Sequence, residues 1–244
     1  MDSALAAAET KIRRHAENFA NTDHYLNVHL PRIATDFAFI IERFGPGQRI
    51  LDIGAAPFCL CEALAARGYD VTAVDFDPKQ WPQVPYLSMP VIKCDVERAP
   101  LPFPDKHFDL VVLTEVFEHL HVNLVTTILE IQRVIRPGGM LYLTTPNLLS
   151  IRKVWRMIRK GVVNDVYDEW SMINRLGYAG HICEYTMAEV RDFLAAAGFV
   201  ETQASTEFVY NKRPIETMML KALTAIAPAM RENVIVHARR PAGD

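Results

Sequence analysis

Five short apolar runs, each followed by a helix-forming stretch or a turn, set the limits on what this chain can become. They are Arg49-Ile50-Leu51-Asp52-Ile53, Val71-Thr72-Ala73-Val74, Val91-Ile92-Lys93-Cys94, Leu110-Val111-Val112-Leu113 and Met140 to Thr144. Such runs show no inside-outside alternation, so both faces of each strand must be covered. The arrangement that does this is a parallel sheet with helices on either side. Between the runs, residues 58–67 read as a helix closed by Gly68. Asn123 to Ile135 place Leu124, Ile128, Ile131 and Ile135 on one helical face before Arg136-Pro137-Gly138-Gly139 stops the helix. Upstream, a helix after Pro31 carries Ile33, Phe37, Ile40, Ile41 and Phe44 and ends at Gly45-Pro46-Gly47. Downstream, Thr186 and Glu189 form a capping box for a helix ending at Ala197 and Gly198. Phe199 to Phe208 and Asn233 to Ala238 read as the last strands.

At 244 residues this is one large domain, or one domain with a cap. The reading divides it into an N-terminal helical lid over 1–45, a ligand-binding core over 46–147, a cap insertion over 148–185 and the rest of the sheet over 186–244. A hydrophobic content of 50% with 23% charged residues excludes global disorder. A net charge of -3 argues against a general nucleic-acid binder. Residues 1–4 lack the basic start of a signal peptide, and no apolar stretch reaches the length of a membrane span. Cys59, Cys61, Cys94 and Cys183 make no disulfide or zinc pattern and read as buried free thiols. These features together place the chain in the cytoplasm.

Asp52-Ile53-Gly54-Ala55-Ala56-Pro57-Phe58 leaves the first strand, and Asp75 ends the second, 21 residues after Gly54. In doubly wound sheets a ligand sits beyond the carboxyl ends of the strands, and an acidic residue at this distance takes the hydroxyls of a ribose. The spacing fits an adenosine-containing cofactor. A dinucleotide pyrophosphate requires closely spaced glycines, but after Gly54 none occurs until Gly68. A phosphate-free cofactor, S-adenosylmethionine, fits better than a nicotinamide one.

Further stretches carry a family likeness. They are Cys94-Asp95-Val96-Glu97, Leu101-Pro102-Phe103-Pro104-Asp105, Phe108-Asp109-Leu110-Val111, Glu115-Val116-Phe117-Glu118-His119-Leu120, Thr145-Pro146-Asn147, and His181 with Glu184-Tyr185-Thr186. With these motifs in order, the chain resembles the class I S-adenosylmethionine-dependent methyltransferases from about Arg49 to Gly198. The resemblance implies a Rossmann-like seven-stranded sheet, mostly parallel with its last strand antiparallel. It implies cofactor contacts from Asp52, Gly54, Ala55, Ala56, Asp75, Phe76, Asp95, Val96 and Glu115. Ala56 and Phe58 replace two glycines of the family's turn, so the Phe58 ring needs a separate path, into the helix–sheet contact.

Methyl transfer to a hydroxyl requires a base. His119 stands first for that role and His181 second, with Glu118 orienting an imidazole. Glu115, Glu118, His119 and His181 are also similar to the metal set of ubiquinone-pathway O-methyltransferases and small-RNA 3′-end methyltransferases. The residue reading takes no metal as its first choice. His24 and Tyr25 belong to the lid by resemblance. Ile151, Val154, Trp155 and Ile158 share one face of a basic amphipathic helix over 151–160. That face either packs on the body or meets an anionic or lipid-linked acceptor or a membrane surface. Trp170 reads as part of the cap core, and the tail from Ile215 to Met230 carries a weaker interfacial signal. The expected function is O-methylation of a small-molecule, glycan or lipid-linked acceptor. The alternatives are a metal-assisted methyltransferase of an RNA 3′-terminal ribose and an inactive cofactor-binding partner protein.

Overall fold

The apolar runs form the strands of one sheet, and its order decides where a ligand sits. In the computed structural model, residues 1–16, 22–176, 180–181, 183–208 and 214–243 are described. The strands are β1 (Arg49–Ile53), β2 (Asp70–Asp75), β3 (Val91–Lys93), β4 (Phe108–Thr114), β5 (Ile135–Pro146), β6 (Val200–Glu207) and β7 (Asn233–Arg239). Their order is β3-β2-β1-β4-β5-β7-β6. β1 to β5 pair in parallel, while β7 runs antiparallel to both β5 and β6. The order reverses between β1 and β4, which opens a crevice at their carboxyl ends.

The helices are α1 (Ser3–His15), α2 (Thr22–Arg43), α3 (Cys59–Ala66), α4 (Leu124–Val134), α5 (Ile151–Lys160), α6 (Val166–Leu176), α7 (Met187–Ala196) and α8 (Pro214–Ile226). Successive strand residues point to opposite faces. Ile50, Val112 and Tyr142 pack with α1, α2 and α3, whereas Leu51, Val111 and Leu143 pack with α4 and α7. The expected box forms at α7, where Thr186 and Glu189 cap reciprocally, and Asn123 caps α4 by accepting the Thr126 amide. Phe58 caps α3 with φ of 72°, and its ring is buried edge-on to Trp81. It therefore follows the path into the helix–sheet contact.

Four expectations change. The helix placed after Pro31 runs through it and begins at Thr22. Proline lacks one donor but keeps its carbonyl, which accepts a bond from the Thr35 hydroxyl. The Arg136-Pro137-Gly138-Gly139 stretch belongs to the long strand β5 rather than to a turn before it. Cys59, Cys61 and Cys94 are buried, but Cys183 is exposed. Trp170 is 51% exposed, so it is not a core residue of the cap. Part of that cap, 177–179 and 182, and part of the tail, 209–213, lie outside the described residues.

A buried polar link ties α2 to the sheet. The Arg32 guanidinium donates to Asp36 at 3.0 Å, and the Tyr142 hydroxyl donates to the other Asp36 oxygen at 2.7 Å. Removing one partner strands the others without water. Tyr142→Phe is expected to cost about 1–3 kcal/mol of folding stability. Asp36→Ala, which removes the carboxylate that buried Arg32 bonds directly, is expected to cost about 3–5 kcal/mol. Equilibrium urea unfolding checks both, and the two variants should rank in that order.

Candidate active site

The crevice is lined first by the β1 turn. Gly54 has φ of 68°, and its amide bonds the Val74 carbonyl at 2.8 Å. A Cβ there would stand 2.3 Å from Val116 Cγ2, so only glycine lets the loop after β4 lie against this turn. Ala55 is buried beside it, and its amide also reaches the Val74 carbonyl. Asp52 is buried: one carboxylate oxygen accepts from the Cys61 thiol at 2.9 Å, and the other has no partner. Burial pushes its carboxyl up to about 7.

Asp75 ends β2 and is also buried. Burial raises its pKa, against bonds from the Asp77 and Ala56 amides, which fix the carboxylate beside the turn. Phe76, next along, is 53% exposed. Asp95 follows β3 and accepts from the Glu97 amide, and Val96 is half-buried against the α4 side of the core. The structure thus brings Asp52, Gly54, Ala55, Ala56, Asp75, Phe76, Asp95 and Val96 to the strand ends from which a ribose and adenine would be held. The unpartnered Asp52 oxygen and the carboxylate of Asp75 are the acceptors that the hydroxyls of an adenosine diol and an amino-acid ammonium require.

The second half of the site follows β4. Glu115 has φ of 57°, and its carboxylate accepts from the Thr144 hydroxyl and the Asn233 amide. Glu118 is fully buried. One oxygen accepts from Thr145 at 2.9 Å. The other is unpartnered, 3.8 Å from His181 Nε2 and 4.0 Å from His119 Nε2. Burial, helped by the charge of Glu115, pushes Glu118 up to about 8. The two imidazoles meet edge to face at 5.1 Å between centroids. His181 is fixed from three directions: Nδ1 lies 3.3 Å from Glu184, its amide donates to Glu169, and its carbonyl accepts from Asn164. Glu184 is held in turn by Lys153 at 2.6 Å. Burial lowers the His181 pKa, but Glu184 and Glu118 outweigh it and the net shift is upward.

Several functional residues escaped the sequence reading. Glu184 orients His181 more directly than Glu118 does. On α2, Arg32 is buried and also donates to Tyr25 at 3.3 Å, with Glu115 the strongest charge acting on it. His29 stacks on Tyr25 at 4.2 Å between centroids, and its Nδ1 is buried without a partner. The detectable signal was the Arg32–Asp36 pair at i,i+4 spacing on the apolar side of a helix. Tyr25 thus lies with the site, whereas His24 is exposed.

Residues 51–143 match a family described as a methyltransferase domain. A ubiquinone/menaquinone biosynthesis C-methyltransferase of Cupriavidus necator is 38% identical over 80 residues, 32% of this chain and 28% of that protein. A ubiquinone biosynthesis O-methyltransferase of Dechloromonas aromatica is 31% identical over 112 residues, 41% of this chain and 45% of that protein. The chain thus spans less than half the length of these two relatives. Among solved structures, a SAM-dependent methyltransferase from Archaeoglobus fulgidus superposes with a TM-score of 0.60 at 15% identity, covering 89% of this chain and 99% of that one.

Burial and the nearby Arg32 push the His29 imidazole down to about 4. The unfolded chain, with a histidine pKa of about 6.5, then binds the proton more readily. The contribution of His29 to stability is complete above that value and is lost as pH falls toward about 4. Unfolding His29→Gln beside the parent chain across this window should show the smaller loss in the variant; parallel curves would remove the assignment.

Proposed function

We propose that this chain, a class I S-adenosylmethionine-dependent methyltransferase by domain match and fold, transfers a methyl group to a hydroxyl of a small-molecule, glycan or lipid-linked acceptor. The observation that carries the reading is the Glu118 oxygen poised between His119 and His181, on a loop that Val116 packs against the Gly54 turn. Bound S-adenosylmethionine supplies an activated methyl cation equivalent.

The residues of the chain do the rest. Asp75 receives the ribose hydroxyls, Asp95 and Val96 meet the adenine edge, Phe76 covers its face, and Asp52, Gly54, Ala55 and Ala56 take the amino-acid part. Glu115 stands where the two halves of the site join. The acceptor must be aligned with the methyl group and stripped of water. His181 Nε2 takes the hydroxyl proton as transfer proceeds, while Nδ1–H donates to Glu184. His119 flanks the acceptor from the other side. The geometry supports His181 as base, because the Glu184 carboxylate lies 3.3 Å from its Nδ1 and fixes the ring. Glu118 keeps both rings in place.

A second reading has support of its own. Ligand atoms of Glu118, His119 and His181 all lie within 4.8 Å of one another, close enough to share one divalent ion. Glu115 is not in this group, and Thr144 and Asn233 both donate to one of its oxygens. Such an ion would lower the pKa of the acceptor hydroxyl and position it. This is the arrangement that a ribose 3′-end methyltransferase would need, although the net charge of -3 gives no general attraction for RNA.

Titration calorimetry with S-adenosylmethionine, with NADH as control, tests the cofactor assignment. Asp75→Ala should weaken binding about 10–100-fold, the worth of hydrogen bonds to a charged group. Intact binding by that variant would refute the ribose role. A screen of phenolic, sugar and lipid-linked hydroxyls then tests turnover, where His181→Gln should lower kcat about 100-fold or more with cofactor affinity unchanged. Running the screen with EDTA separates the two readings. Full activity under chelation supports the general base alone, and loss restored by a divalent ion supports the metal.

A further inference from the structure

We infer that α5 is a docking surface for an anionic lipid bilayer, held beside the active site. This goes beyond the methyl-transfer reading and does not depend on it.

A helix on a protein surface ordinarily turns its apolar side inward. α5 does so only in part: Ile151 and Val154 are half-buried, whereas Trp155 and Ile158 of the same face project outward. At about 100° per residue, Trp155 and Ile158 share one side of the helix, while Arg152, Lys153 and Arg156 fall on the other. Its basic side chains also hold it in place. Arg152 pairs with Glu232 at 3.7 Å, Lys153 with Glu184 at 2.6 Å, and Arg156 donates to the Val163 carbonyl at 3.0 Å. Trp155 and Ile158 face out, 59% and 70% exposed, and no residue of α5 is fully buried. Water is a poor solvent for that side, and the ion pairs prevent the helix from rolling over to hide it.

Charge identifies what covers it. Arg159 lies at the edge of the apolar side, with its guanidinium 5.9 Å over the Trp155 ring, and Lys160 follows at the helix end. Neither has an acidic partner among the described residues. An apolar side carrying a tryptophan and bordered by cations matches the boundary between lipid headgroups and acyl chains. There the ring and the isoleucine enter the acyl region and the long cationic stems reach back to anionic headgroups. An acidic protein partner would satisfy the cations but not the projecting Ile158. No helix among the described residues is long and apolar enough to cross a membrane, so the contact is peripheral.

The surface is coupled to the site. Lys153 of α5 pairs with Glu184, and Glu184 holds His181. Seating α5 on a bilayer therefore puts the candidate base within two side chains of the interface, where an acceptor dissolved in lipid is reached.

Co-sedimentation with vesicles tests the inference without any methyl transfer. The chain should bind phosphatidylcholine vesicles containing phosphatidylglycerol and not vesicles of phosphatidylcholine alone, and added salt should release it. Ile158→Asp and, separately, Arg159→Glu with Lys160→Glu should each weaken binding about tenfold or more. Thermal unfolding midpoints should stay unchanged, because these side chains bury little. Absence of binding to anionic vesicles would overturn the inference, as would binding indifferent to both variants. Sedimentation velocity without lipid supplies a further test. A self-associated species that Ile158→Asp dissociates would mean that a second copy covers this face.

Discussion

The candidate site rests on a balance of buried charge. Three carboxylates, Asp36, Glu115 and Glu118, approach the inner end of the crevice where water cannot solvate them fully. Unpaired, each would carry a large desolvation cost. Arg32, delivered by α2 from the far side of the sheet, is the fixed cation that offsets them. It bonds Asp36 directly and acts on Glu115 and Glu118 through the interior. Its guanidinium also reaches the hydroxyl of Tyr25, two turns earlier on the same helix. A lysine would not serve equally, since its single ammonium lacks the planar fork that reaches two partners at once. α2 is therefore part of the electrostatics of the site.

The polar chain outward from Glu118 works differently, because it ends at the surface. Glu118, His181, Glu184 and Lys153 follow one another, each within ion-pair distance of the next. Buried and half-buried groups alternate along this series: Glu118 and Glu184 are buried, whereas His181 and Lys153 are half-buried. The candidate base thus sits at the boundary between a dry interior, which strengthens its electrostatic contacts, and a surface from which an acceptor can enter. Glu184 is the pivot. Lys153 and His181 hold its carboxyl below the usual range despite its burial, so it stays ionised and keeps the imidazole oriented.

The sheet was legible because periodicity and turn chemistry report local rules. Continuous apolar runs specified β1 to β5 and the two-sided cover, and Thr186 with Glu189 specified the start of α7. The positions of Gly54 and Asp75 at strand ends were legible for the same reason. What escaped depends on contacts between distant segments. Arg32 and Glu115 are 83 positions apart, and no pattern near either one signals the other. Pro31 misled because a proline reads as a helix start, whereas tertiary packing of Leu26, Ile33 and Phe37 on one face carries α2 through it. Trp170 misled because an isolated tryptophan says nothing about which side of its helix is covered.

The turn after β1 shows how a glycine-poor sequence can still leave space for a ligand. What matters there is where each side chain goes, more than how small it is. Gly54 is constrained by Val116, which would clash with any Cβ, so its identity is set by packing of the β4 loop. Ala56 adds one methyl and gives its amide to Asp75, which orders the carboxylate instead of obstructing it. Phe58 adopts a left-handed conformation at the start of α3, and this turns its ring into the core against Trp81, away from the strand ends. The ring then contributes apolar burial where a glycine would contribute none. The departure from the family's glycine pattern thus exchanges backbone freedom for core packing, and the crevice between β1 and β4 keeps Asp52, Asp75 and Glu115 at its edge.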